Sequence, residues 1–107
     1  MLERSWSPTT LACIREQEGW TLIIPKSEAD AQHLAYTAVF RCITLTVHSS
    51  LEAVGLTAAL SERLARHRIS ANMLAGYYHD HILVPETDVT QAFDVLENLA
   101  REASDSK

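Results

Sequence analysis

FRCITLTVHSSLEAVGLTAALSERLARHRISANMLAGYYHDHILVP, residues 40–85, is the stretch whose reading decides the fold. Residues 40–48 place Ile43, Leu45 and Val47 on one face and Cys42, Thr44, Thr46 and His48 on the other, the period of two of a half-buried strand. A strand with one apolar face needs a cover. The next segment supplies it, because Leu56, Leu60 and Leu64 recur at i, i+4 and i+8 with Glu62, Arg63 and Arg66 opposite, the pattern of an amphipathic helix. Residues 70–78 and 81–84 then read as strands around a tight connection near His79 and Asp80.

Working outward, Thr87 or Asp88 is placed to cap a second long helix, in which Val89, Ala92, Phe93, Leu96 and Leu99 or Ala100 recur at helical spacing before the polar residues 104–107. On the other side, residues 11–15 read as a short edge strand. Gly19 separates them from a β-branched run at 20–24 that Pro25 stops, and the two form a predicted hairpin. Ser27 and Asp30 have the spacing of a capping box with Asp in the Glu position, which predicts a short helix over 28–34.

From residue 40 the order strand, helix, strand, strand, helix is the first five elements of a ferredoxin-like βαββαβ unit. After Leu99 the chain is too polar for the sixth. The expectation is therefore an α+β, ferredoxin-like antiparallel sheet with two main helices on one face, its fourth strand supplied by the N-terminal run at 20–24. With 107 residues and 47% hydrophobic content, one domain with one modest core is expected, its core at 40–102 and an N-terminal strand and short helix within 11–36.

No segment is long and apolar enough to cross a bilayer, and the opening MLERSW lacks the apolar region of a secretory signal, so a cytoplasmic home is expected. In that setting Cys13 and Cys42 read as packed, free thiols. A formal charge of −5 argues against nucleic acid and anionic membrane as partners. The basic group Arg63, Arg66, His67 and Arg68 fits the negative end of a helix dipole better than a phosphate site.

The first loop carries the case for a ligand. A strand ending at His48 that feeds Ser49, Ser50 and a helix start offers free amides, two hydroxyls and a positive dipole end, suited to a carboxylate. Ser49 with Glu52 three residues on is also an ordinary capping box, and both readings stand. Alternation puts the imidazoles of His79 and His81 on one side, with Asp80 between them, but a structural or catalytic metal needs a further anchor, and none is expected here. There is no nucleophile elbow and no phosphate-binding glycine loop, and the strand context of Cys42 suggests an inert thiol, so no catalytic residue and no cofactor are expected.

The stretch Val47-His48-Ser49-Ser50-Leu51-Glu52-Ala53-Val54-Gly55-Leu56-Thr57, then Ile69-Ser70-Ala71-Asn72-Met73, then Gly76-Tyr77-Tyr78-His79-Asp80-His81-Ile82-Leu83-Val84-Pro85, resembles small bacterial ACT-domain proteins. The resemblance covers about half the chain and implies a ferredoxin-like, non-catalytic regulatory module, often a homodimer, that binds an amino acid or other small metabolite. It implies a ligand site at His48, Ser49, Ser50, Leu51, Val54, Gly55 and Leu56, with Asn72 and Met73 lining the partner's half of the pocket. Arg68 departs from the family pattern, standing where relatives usually carry a glycine, which takes positive φ more readily. The competing readings are an interaction module that kept this architecture without a ligand and, behind it, a metal-dependent enzyme.

Overall fold

The computed structural model of the chain describes residues 10–45 and 50–105, with the backbone alone at 50–54, 56 and 103–105. It forms two compact units, Met1–Thr37 and Ala38–Lys107.

The first unit contains the expected hairpin. Strands β1 (Ala12–Glu16) and β2 (Gly19–Ile23) pair antiparallel, with Cys13 opposite Leu22 and Arg15 opposite Trp20, and the Thr21 hydroxyl donates to the Glu16 carboxylate. Helix α1 (Lys26–Ala31) follows Pro25, whose fixed φ suits helix entry. The predicted capping box does not form, because Pro25 occupies the N-cap and no side chain caps the helix. Asp30 serves elsewhere, accepting from the Tyr36 hydroxyl at 2.8 Å and from Lys26 Nζ at 3.0 Å. The Tyr36 bond first, and then the Lys26 bond, hold its carboxyl below the usual carboxylate value.

The second unit carries the main core. Its elements are β3 (Phe40–Leu45), α2 (Ser50–Arg66), β4 (Asn72–Ala75), β5 (Asp80–Pro85), a single 3-10 turn (Glu86–Asp88) and α3 (Val89–Asp105). Strand β5 lies between β3 and β4 and is antiparallel to both, with Ile43 and Met73 each opposite Ile82. The pleat thus puts Ile43, Leu45, Met73, Ile82 and Val84 on one face, where Leu60 and Leu64 of α2 and Ala92, Val95 and Leu96 of α3 join them. Both long helices cover the same face, as a ferredoxin-like α+β unit requires.

Three expectations change. The run at 20–24 was to be the fourth strand beside β3, but it pairs with β1 in a separate two-stranded sheet, and among the described residues the larger sheet has three strands. That leaves β3 an outer strand and makes β5 the central one. In α3, Phe93 is 49% exposed and Val95 is buried instead. Positions 92, 95, 96 and 99 lie within one helical stripe, whereas 93 is turned about 100° from 92. Thr87 and Asp88, expected as caps, lie in the 3-10 turn that runs into α3.

Helix α2 ends in a Schellman turn. The Arg68 amide donates to the Ala65 carbonyl at 2.9 Å and the Ile69 amide to the Leu64 carbonyl at 3.0 Å, which forces Arg68 to φ 60°. Leu64 and Ile69, joined by that hydrogen bond, are both buried in the core. The same arrangement closes α1, where His33 adopts φ 57° and the Leu34 amide donates to the Ala29 carbonyl at 2.9 Å. Between the long helices, Arg63 Nη1 and Nη2 donate to the two carboxylate oxygens of Glu102, at 2.9 and 2.7 Å. The Arg63 bond holds the Glu102 carboxyl below its ordinary value.

Leu64→Ala is expected to cost about 2–5 kcal/mol in urea unfolding. Arg68→Gly should stabilise by about 0.5–1 kcal/mol, the relief of left-handed strain less the added chain entropy of glycine. The depressed carboxyl of Glu102 contributes stability that is present above its unfolded-state pKa and is lost as pH falls through the folded-state value. Glu102→Gln should therefore lower Tm at neutral pH and shrink the further drop in Tm on acidification to about pH 3.

Candidate functional site

Residues 46–49, between β3 and α2, lie outside the described residues, and His48 and Ser49 with them. Helix α2 begins at Ser50, which puts the backbones of Ser50, Leu51 and Val54 in its opening turns, followed by Gly55 and Leu56; the side chains of Ser50, Leu51, Val54 and Leu56 are outside the description. The first amides of such a helix have no intrahelical acceptor and carry the positive end of its dipole. Gly55 is exposed, and a Cβ built on it would meet nothing within 4 Å. That surface of the helix is open to an approaching group.

Asn72 and Met73 open β4, and the pleat sends them to opposite faces. Met73 stands opposite Ile82 and packs against the core, whereas Asn72 stands opposite Leu83 and is exposed on the face away from the helices. Only Asn72 of the two is thus available on the open side of the sheet.

The hairpin connection is longer than the two residues the sequence reading left between its strands. Strand β4 ends at Ala75 and β5 begins at Asp80, with the Gly76 amide donating to the His79 carbonyl at 3.0 Å. A Cβ on Gly76 would lie 2.5 Å from that carbonyl oxygen, so the turn demands glycine. Tyr77 and Tyr78, read from sequence as the end of a strand, project from the turn at 95% and 80% exposure, with ring centroids 5.0 Å apart at an interplanar angle of 88°. His79 lies in the turn and His81 in β5, and among the described residues no three His, Cys, Asp or Glu side chains are grouped to hold a metal.

The open face carries a cluster that sequence reasoning missed. Cys42 was expected to be packed and inert, but β3 is an outer strand and Cys42 is exposed. Thr44 stands opposite His81 across the β3–β5 pair, with Thr44 Oγ1 and His81 Nδ1 3.0 Å apart. Cys42 Sγ lies 3.9 Å from each of those two atoms. Alternation in the sequence put Cys42 and Thr44 on one face; the register that sets His81 beside them needed the structure.

Comparison with known proteins yields the same architecture. A family model described as ACT domain matches residues 37–98, more than half of the chain, and a second model of the same description matches residues 2–41. A crystal structure of a protein of unknown function from Vibrio cholerae, described as a possible transport protein, is 54% identical with a TM-score of 0.74. The match covers 81% of this chain and 66% of that one, so the chain spans just under two thirds of that relative. No curated protein matches the chain.

Two glycine substitutions should separate a turn that needs glycine from a helix that merely contains one. Gly76→Ala is expected to destabilise by about 1–3 kcal/mol as the hairpin backbone shifts to relieve the clash. Gly55→Ala should stabilise by about 0.5–1 kcal/mol by lowering the chain entropy lost on helix formation. Chemical denaturation of the two variants checks both signs.

Proposed function

Because the chain belongs to the ACT-domain family, we propose that it is a non-catalytic, cytoplasmic regulatory module that binds an amino acid or a similar small carboxylate and works as a homodimer. ACT domains are commonly regulatory and ligand-binding. The observation that carries the reading is the family match over 37–98, which includes the β3–α2 connection and the helix start at Ser50. At that start the ligand's carboxylate accepts from unpaired amides and the Ser50 hydroxyl, with the dipole favouring its charge. His48, Ser49, Leu51, Val54, Gly55 and Leu56 frame this pocket, and Asn72 belongs to the half contributed across the dimer, with Met73 behind it packed against the core. Residues 1–107 act as one ACT-like module in this reading, with no cofactor or metal. Among the described residues β3 and β4 each pair on one side only, and such strand edges support self-association because they seek a partner.

The exposed pair Tyr77 and Tyr78 favours a second reading, an interaction module with no ligand. Thermal unfolding against the standard amino acids and common carboxylate metabolites separates the two. A ligand that binds the native state alone adds about 2.7 kcal/mol at 100 times its Kd and raises Tm. Gly55→Val should fold and lose that rise, and Ser50→Ala should weaken binding by about 0.5–1.5 kcal/mol. Ser49→Ala should cost about 1 kcal/mol of folding stability if Ser49 is the N-cap. A ligand whose affinity is the same in the parent, Ser50→Ala and Gly55→Val proteins would move the pocket elsewhere, and no rise with any compound would leave the interaction reading. Sedimentation velocity at tens of micromolar, about the range above functional affinities, should show a dimer.

A further inference from the structure

We propose that Cys42 is a site of reversible covalent modification, forming mixed disulfides with low-molecular-weight disulfides, and that His81 accepts its proton. The inference starts from the two strands that build the cluster. Ile43 and Ile82 pair across β3 and β5 on the helix face, and this register brings Cys42, Thr44 and His81 together on the other face. A thiol reacts as its thiolate, and reactive thiols are partly exposed and stand beside a group that can take or balance the proton. Both conditions hold here. Cys42 is exposed, and the His81 Nδ1 atom lies 3.9 Å from its sulfur, within hydrogen-bonding reach for sulfur.

Thr44 adds a second route for the proton. Its hydroxyl is 3.9 Å from the sulfur and 3.0 Å from Nδ1, so it can accept from the thiol while donating to the imidazole. Across the strand pairs His81 stands opposite Thr44 of β3 and Leu74 of β4, with Cys42, Leu83 and Asn72 at the next positions of the same face, and His79 in the adjoining turn is a second imidazole on its side. Cys13 offers an internal reference: it is half-buried in β1 and faces Leu22 across the hairpin.

The chemistry balances without a further oxidant. The thiol proton passes to the imidazole, directly or through Thr44, and the Cys42 thiolate attacks one sulfur of the incoming disulfide. A new sulfur–sulfur bond forms as the old one breaks, and the departing thiolate takes the proton back from the imidazolium. The products are the protein mixed disulfide and one free thiol, and a second thiol reverses the reaction. Across the sheet, Cys42 and Asn72 both stand opposite Leu83, so the adduct lies on the same face as Asn72, two strand spacings or about 9.5 Å away.

The test uses the full chain and oxidised glutathione, with peptide mass mapping of Cys13 and Cys42 over time and across pH. Cys42 is expected to form the adduct about ten-fold faster than Cys13 near neutral pH. His81→Ala should slow Cys42 several-fold near neutral pH while leaving Cys13 unchanged, and Thr44→Val should slow it less. Circular dichroism and a cooperative thermal transition report that each variant is folded; if His81→Ala is not, His81→Gln takes its place. Equal rates for the two cysteines, or a Cys42 profile indifferent to residue 81, would overturn the proposal. This readout involves no amino-acid ligand, so its failure and that of the proposed function are told apart.

Discussion

Leu64 is the residue on which the second unit turns. Its side chain is fully buried, and its carbonyl accepts from the amides of His67 and Ile69, so one residue both fills the core and ends the helix. The turn that satisfies the carbonyl seats Ile69 in the same core, and the chain then enters β4. The geometry has a cost, because Arg68 must adopt a left-handed conformation disfavoured by about 1–2 kcal/mol for a residue with a Cβ. Burying Leu64 and Ile69, at roughly 1.5–3 kcal/mol each, outweighs it. Packing therefore overrides the local preference of an arginine.

What happens on the helix face fixes the other face of the sheet. Ile43 opposite Ile82 is the pairing that the core demands, and a one-residue slip would turn Ile43 outward and Cys42 inward. The proximity of Thr44 and His81, and of Cys42 to both, is thus a consequence of hydrophobic register. A cluster held in this way does not need a loop to order it: its three side chains project from paired strands whose opposite sides are buried against helices.

Much of this architecture was legible in the sequence, and the reasons differ by element. The alternation at 40–45 and the i, i+4 recurrence of Leu60 and Leu64 are strong because each element buries one side only. The N-terminal hairpin was equally plain from its β-branched run and Pro25. The fourth strand was not legible, because pairing choice between strands is set by register and tertiary fit, and β2 matched β1 along all five of its residues. Phe93 misled because hydrophobicity alone does not say which side of a stripe faces inward when Val95 competes for the place. Asp30 misled for a different reason: Pro25 took the N-cap, and the carboxylate found Tyr36 and Lys26 instead. Of the ligand site, sequence placed Gly55 near the opening of α2, but it could not show that Asn72 and Met73 part to opposite faces of β4.

That parting bears on how ligand binding and thiol modification would meet in one small unit. Allosteric coupling between two sites calls for two global states that each ligand distinguishes. The structure shows one packing of the core, with Leu64, Ile82 and Val84 closed to solvent and a bidentate Arg63–Glu102 link between the helices. Coupling through shared space asks for less. Cys42 and Asn72, both exposed, flank the buried Leu83 on one face, so an adduct on the first would crowd a ligand or partner chain that contacts the second. Under that scheme mixed-disulfide formation lowers binding by exclusion, with the sheet unchanged, and reduction of the disulfide restores it.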